Sequence, residues 1–398
     1  MKQAEPVECL EHLRNYCEDR SFAGWDPYDA LNSPFMPVLS LGTKYGRIAW
    51  TQLLRRLPLN LRPLLRVPHG HNPKGLGLFL GGYAKIHSAT GDESCLQRID
   101  ELLALLRKLG NRDFGGIGWG YNFPWQNRVM FVPRYTPTVV NTSFIGHALI
   151  DCAELAGRDD ALELASAIPA FFESGPNRLT EGENFCFSYT PLDENYVHNA
   201  NMLSASLLLR LGHKLGDDSL RDTARRSMAY SMSHQHEDGS WYYAEAEVQH
   251  WYDSFHTGFN LEALRWFMQL DEACGWQDGY RRGVDYYAES FFLEDGTPKY
   301  YDHSVYPIDI HSPAEAICFF SGEKGHEDLV KRVTDWMLRN LWDQDQGYFY
   351  FRKTASGINR IPYMRWSESW AFRALTDLIH NQRRSSTGSD SAHSKENP

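Results

Sequence analysis

The chain has 398 residues, of which 42% are hydrophobic and 23% charged, and a formal net charge of −11, enough material for a large buried core. The acidic balance excludes a phosphate-tracking nucleic-acid binder, which needs a basic stripe. No stretch reaches the roughly 18 to 20 apolar residues of a membrane span, and the start lacks the basic-then-apolar order of a secretion signal, so a cytoplasmic protein is expected. Seven scattered cysteines without a C-x-x-C spacing suggest neither a disulfide framework nor a thiolate zinc site.

Residues 1–38 read as an N-terminal extension, with Trp25, Asp26, Tyr28 and Asp29 clustered in WDPYDALNSP. The stretch from Leu39 to Leu57 is an amphipathic helix stopped by Pro58. From Asn72 a two-helix unit begins. NPKGLGLFLGGYAKI is apolar nearly all round; after a short turn, Leu96, Ile99, Leu102, Leu103, Leu106 and Leu109 recur at helical spacing beside a wet face of Arg98, Glu101, Arg107 and Lys108. An inner helix wrapped by an outer one fits that contrast. The unit recurs from Asn141, Asn199, His256 and His311, and a sixth inner helix starts at Trp366, with intervals of 58, 57, 55 and 55 residues.

Six such starts predict an all-α (α/α)6 toroid, a single domain over 1–382, followed by a disordered tail over 383–398. The sixth inner helix has no successor. Its expected partner is the Leu39–Leu57 helix, so that the first and last helices close the ring.

The connections are asymmetric. Inner-to-outer turns are short and plain, whereas outer-to-inner connections are long and aromatic, and long connections inside a compact domain are usually functional. Because helix direction alternates, all of them fall at the end where the inner helices start, and residues 1–38 are expected to reach this mouth. Segments such as FCFSYT, SWYYAEA and GYFYFRK alternate like short strands and predict small β-hairpins there.

Aromatic faces beside carboxylates, amides and guanidinium groups suit a sugar. The substrate-binding candidates are Asp29, Lys74, Trp119, Tyr121, Asn122, Arg128, Asn141, His198, Asn199, Trp241, Trp251, His311, Arg365 and Trp366. For catalysis, the densest cluster is WYDSFHTGFNLE, which supplies Tyr252, Asp253 and His256; DIHSPAE supplies Asp309 and Glu315, and RWSES supplies Glu368. Sugar chemistry typically uses two carboxyl groups in environments that separate their pKa values. Asp253 and Glu368 rank first. No metal and no cofactor is expected. The arginines at the mouth make an anionic sugar a reasonable substrate.

These features resemble the six-hairpin, (α/α)6-toroid carbohydrate enzymes, a superfamily of hydrolases, polysaccharide lyases and sugar epimerases. GGIGWGYNFPWQNR, TPTVVNTSFIGHAL and EDGSWYY followed by HTGFNLEAL look like bacterial exopolysaccharide-biosynthesis proteins of the VpsJ type, which implies possible partners in polysaccharide assembly. HTGFNLEAL is also similar to the helical domain of glucuronyl C5-epimerases, which directs interest to Tyr252 and His256. The expected function is glycoside hydrolysis by a carboxylate pair on a bacterial polysaccharide or oligosaccharide. Uronosyl epimerase or lyase chemistry and a non-catalytic glycan-binding subunit stay open. So does a terpenoid-cyclase-like toroid, whose Q-x-x-x-G-x-W motif occurs at Gln235–Trp241.

Overall fold

The computed structural model describes residues 5–393 except Asn127 and Val129, with side chains to Arg384. Six inner helices form a closed ring: α4 (Pro73–Thr90), α6 (Val139–Ala156), α9 (His198–Leu215), α11 (Ser254–Leu270), α13 (His311–Phe320) and α15 (Ser369–His393). Each packs on the next, and α15 returns to α4. Glycines let α4 sit this close to both neighbours. A Cβ on Gly77 would come within 2.8 Å of Ile145, and one on Gly82 within 2.5 Å of Phe372.

The outer layer is α5 (Ser94–Leu109), α7 (Asp159–Ser166) with α8 (Pro169–Ser174), α10 (Asp218–Ser233), α12 (Gln277–Ser290) and α14 (Glu327–Leu341). The outer helix of the second unit, in DDALELASAIPAFFES, is broken into α7 and α8 at Pro169, which cannot continue a helix.

The sixth outer position corrects the sequence reading. It is filled by α1 (Pro6–Glu18), which buries Cys9, Leu10, Leu13 and Cys17 against α15 and ties to α4 through Tyr83–Glu18, to the following turn through Arg14–Asp92 and to α5 through Arg14–Ser94. The expected partner is instead α2 (Met36–Leu39) and α3 (Lys44–Arg56), a strap laid across the mouth. A three- and four-residue apolar period does not specify which neighbour a helix meets.

Connections 110–138, 175–197, 234–253, 291–310 and 342–368 all lie at the inner-helix starts, whereas 91–93, 157–158, 216–217, 271–276 and 321–326 lie at the other end. Small hairpins form as expected around FCF, where Arg178–Glu181 pairs with Asn184–Phe187, and around GYFYFRK. SWYYAEA is irregular instead: Tyr242 packs on His236 and Tyr252, and Tyr243 on Trp251, rather than alternating across a sheet. The last helix runs to His393, into the tail expected to be disordered; 394–398 lie outside the described residues. Among the described residues no helix is long and apolar enough to cross a membrane.

Candidate active site

Each inner helix turns one stripe of residues, spaced three or four apart, toward the lumen. From the mouth inward these are Lys74, Leu78, Gly81 and Lys85 on α4; Asn141, Phe144, Ala148 and Asp151 on α6; Asn199, Leu203, Ser206 and Arg210 on α9. They continue as His256, Asn260, Ala263 and Trp266 on α11, His311, Glu315 and Cys318 on α13, and Trp366, Trp370, Arg373 and Asp377 around α15.

One level down, three rings close the lumen. Phe144, Phe259 and Trp370 stand 5.1, 5.3 and 5.1 Å apart, each touching the other two. On the mouth side the Lys74 Nζ sits 4.1 Å from the Phe144 centroid and 5.2 Å from that of Trp370. On the far side the Arg373 guanidinium lies 5.7 and 5.3 Å from the same two rings. This septum divides the lumen into a mouth chamber and a funnel.

The funnel is the larger, about 1200 Å³, ample for a ligand. Its charges, however, are spent on one another. Glu262 accepts twice from Arg373 (2.6 and 2.8 Å), Asp151 accepts from Arg210 (2.7 Å), Glu323 from Arg265 (3.1 Å), and Lys85 pairs with Asp377. His147 is pushed down to about 3 by burial and by Arg210, which donates to its Nδ1. Buried pairs of this kind fix register rather than await a ligand.

The mouth chamber is different. Both amide atoms of Asn141, the Oδ1 atoms of Asn199 and Asn260, both ring nitrogens of His311 and the Trp370 indole N–H are buried and make no hydrogen bond within the protein. Buried polar groups are normally paired, so this ring needs a ligand or water. Burial, with Arg365 and Arg373, holds the Lys74 amine well below its ordinary range; burial, with Lys74 and Arg365, does the same to His311. Size favours the funnel, whereas most of the unmet hydrogen bonding is at the mouth, with Glu315 and one Arg373 nitrogen beside the septum as exceptions. The second criterion decides, because volume without free polar groups cannot orient a polar substrate.

Asp253 does two jobs at once. One oxygen caps α11 by accepting from the His256 N–H (3.0 Å); the other accepts from His256 Nδ1 (2.7 Å) and from the Trp251 indole (3.2 Å). With Nδ1–H donated to the carboxylate, Nε2 is left as the basic nitrogen. His256 lines a narrow pocket with Asn199, Tyr243, Trp251, Asp253 and Asn260, of about 10 Å³, room for about one water. Around it Tyr121, Tyr189, Tyr243 and Tyr300 keep part of their surface accessible although burial pushes their phenols up, as expected of walls of a deep recess. The Tyr121 and Tyr189 hydroxyls meet at 3.3 Å.

The segment Trp25–Asn32 forms one side of the mouth. Arg365 donates twice to Asp26 (2.6 and 2.7 Å), and Arg62, fully buried, donates to Asp29 (2.7 Å), to the Tyr363 hydroxyl (2.8 Å) and to the Asp26 carbonyl. Burial, partly offset by Arg62, leaves Asp29 pushed up to about 6. Tyr28 packs on Trp366 at 5.3 Å. Trp366 in turn donates to Asp309 (2.7 Å) and lies 4.1 Å from the His311 ring. Asp309 also accepts from Arg352 (2.9 Å) and the His311 N–H.

Other candidates stand elsewhere. Glu368 ends a π-helical turn over Met364–Glu368 that presents Arg365 and Trp366 to the mouth. It faces the outer wall instead, accepts from the Phe349 N–H (2.9 Å), and has Tyr16, Cys17 and Arg20 as charged or titratable neighbours. The structure therefore does not join it to Asp253. Glu315 lies with Arg373 (4.0 Å) and Tyr287 beside the septum. Tyr252 bonds His236 and packs on Tyr242 and Tyr286 in the outer layer. Trp119 is a core residue, its indole donating to Leu106 O; Trp241 is nearly so, donating to Ser231 O while bordering the narrow pocket. His198 ties Glu245 to Ser231, Asn122 ties Asn72 to Asn32, and Arg128 is exposed. Gln235 donates to Gly239 O and Gly279 O, so Q-x-x-x-G-x-W is a packing motif here.

Sequence reasoning missed the septum and Tyr243. The inner stripes, followed inward one turn from each start, held the signal for the septum; Tyr243 had none, since its loop has no period.

No family model matches the chain, and no curated relative matches it. Solved structures do. Cellobiose 2-epimerase from Bacillus thermoamylovorans superposes with a TM-score of 0.62 at 12% identity, over 93% of this chain and 98% of that one. The GH76 alpha-mannanase of Bacteroides thetaiotaomicron gives 0.60 at 14% identity, over 79% and 88%. A sugar epimerase from a ruminal bacterium gives 0.55 at 14%, over 79% and 90%. None of these likenesses carries the resemblance to VpsJ-type proteins. The chain shares the (α/α)6 toroid fold of these proteins.

Proposed function

We propose that the protein is a carbohydrate-active enzyme whose mouth chamber moves protons on a sugar, with His256 as base and His311 as its counterpart. The observation that carries the reading is the Asp253–His256 pair, set over a ring of buried polar groups with no partner of their own. Epimerisation or isomerisation fits it better than hydrolysis by two carboxylates. The buried mouth carboxylates are already engaged: Asp26 by Arg365, Asp29 by Arg62, Asp253 by His256, Asp309 by Arg352 and Trp366; Glu315, one turn deeper beside the septum, makes no hydrogen bond among the described residues and has Arg373 as its cation at 4.0 Å. Glu368 is turned outward.

In this reading an open-chain sugar lies with the C–H next to its carbonyl against His256 Nε2. The ring takes that proton, and Asp253 holds the resulting imidazolium. Both histidines lean on Phe255, at 4.4 and 5.1 Å, so His311, neutral in its buried setting, faces the intermediate from a second direction and relays to it a proton taken up from solvent, while the His256 imidazolium gives its own proton to solvent to close the cycle. Lys74, Asn141, Asn199 and Asn260 would meet the hydroxyls and the enediolate oxygens. Support from the solved structures is of fold only, though two of them are sugar epimerases. The bacterial polysaccharide origin of the substrate, its anionic character and cytoplasmic location are parts of the same proposal.

The test is incubation with cellobiose and a panel of reducing mono- and disaccharides, including uronic acids, in heavy water. The expected product is an epimer or isomer carrying deuterium at the reacting carbon. Release of monosaccharides without deuterium at carbon would return the reading to hydrolysis.

A further inference from the structure

The strap across the mouth has an inverted surface. Among the described residues, half of the large apolar side chains left exposed anywhere in the chain fall between Phe35 and Leu64. Val38, Leu41, Tyr45, Leu59 and Leu64 are each between 66% and 83% exposed. Helix α3 makes the point most plainly. Its outward stripe is Tyr45, Ala49, Leu53 and Arg56, while Thr51 and Leu54 face inward with Arg47, which lies over Phe131, and Arg55, which lies over Tyr28. A helix on a soluble surface normally turns its apolar stripe to the core. This one turns apolar groups to both sides.

Charge singles out the same segment. From Asp29 to Asp92 there is no acidic residue between, yet Lys44, Arg47, Arg55, Arg56, Arg62 and Arg66 are there, in a chain whose net charge is −11. Arg56 and Arg66 are exposed beside the apolar groups. Large exposed apolar patches mark interaction surfaces. Apolar side chains interspersed with cations alone match an interface of acyl chains beneath anionic headgroups, where each part gains separately. An acidic protein partner would explain the arginines but not the outward leucines beside them.

We propose that the strap Phe35–Leu64 docks on the surface of an anionic lipid bilayer. The strap roofs the mouth, so docking sets the candidate active site against the membrane. This inference stands apart from the sugar chemistry and would survive its failure.

The experiment is co-sedimentation of the full chain with vesicles of phosphatidylglycerol and phosphatidylcholine, and with phosphatidylcholine alone, at low and physiological salt. Binding to the anionic vesicles, weakened by salt and at least about tenfold tighter than to neutral ones, is expected. Leu41→Ser with Leu59→Ser and Leu64→Ser should abolish it. Arg56→Glu with Arg66→Glu, both exposed and giving up only the place of Arg66 over the exposed Phe35 ring, should weaken it at least about tenfold while thermal unfolding stays put. Absence of anionic-vesicle binding overturns the proposal, as does binding that both variants retain. Light scattering that finds a dimer which the leucine variants dissociate, without lipid binding by the parent chain, would assign the face to a second copy and overturn it too.

Discussion

The two ends of the lumen are built from the same six helices and differ in one respect. In the funnel nearly every charge has met its opposite: Arg373 holds Glu262, Arg210 holds Asp151, Lys85 holds Asp377. At the mouth, amides, imidazole nitrogens and an indole N–H end in space. The funnel is the bigger cavity and the poorer candidate. What distinguishes a site from a hole is hydrogen-bonding capacity that the fold leaves unmet, since a buried group without a partner costs about 1–3 kcal/mol unless something arrives to satisfy it.

The comparison breaks most visibly at His256. His256→Ala should lower turnover about 10²–10⁴-fold with unfolding unchanged, and Asp253→Asn should follow it, since Asn still caps α11 but no longer holds the imidazolium. Steady-state rates beside melting curves check both. Loss of stability without loss of rate would put the dyad in the structural class.

The funnel should behave the opposite way. Arg373→Met leaves Glu262 and Glu315 buried without their cation, and denaturant titration should find a loss of about 3–5 kcal/mol, while sugar affinity of the folded fraction holds. The septum tests whether the chambers are separate. Phe144→Ala should cost about 3 kcal/mol or more and open a passage between them, detectable as faster quenching of Trp370 fluorescence by a small solute against a Trp370→Phe reference.

The smallest effect is expected at Glu368. Burial holds its carboxyl well above the usual range. Such a group contributes stability that is complete below about 4.3, the value of an unfolded glutamate, and lost as pH rises through the folded value. Glu368→Gln does not titrate, so its melting temperature relative to the parent should climb from pH 5 to pH 8, with activity kept. Loss of activity would restore Glu368 as a catalytic acid.

The ring was legible because the spacing of inner-helix starts is a covalent fact, and helix direction then forces all long connections to one end. What filled the sixth outer place was not: α1 and α3 carry the same period, and only long-range packing, such as Arg14 on Asp92, separates them. At the site, Asp253 and His256 were legible from three-residue spacing at a helix start, and Lys74, Asn141 and Asn199 from their place in the first turn. Glu368 misled for the opposite reason. Its nearness in sequence to Trp366 suggested the mouth, yet residues two apart on a helical turn point to opposite sides, and Glu368 meets the Phe349 N–H at the outer wall. Trp119 and Trp241 misled because an aromatic ring in a long loop serves packing as readily as it serves a ligand.

The central claim is that the mouth, not the funnel, holds the sugar. A crystal structure of the His256→Ala variant, soaked with whichever sugar the heavy-water assay turns over, measures it directly. Sugar density above the Phe144–Phe259–Trp370 triangle, against His311, Lys74 and Asn199, is the expected result; density against Trp266 and Arg210, with the mouth empty, would contradict the account.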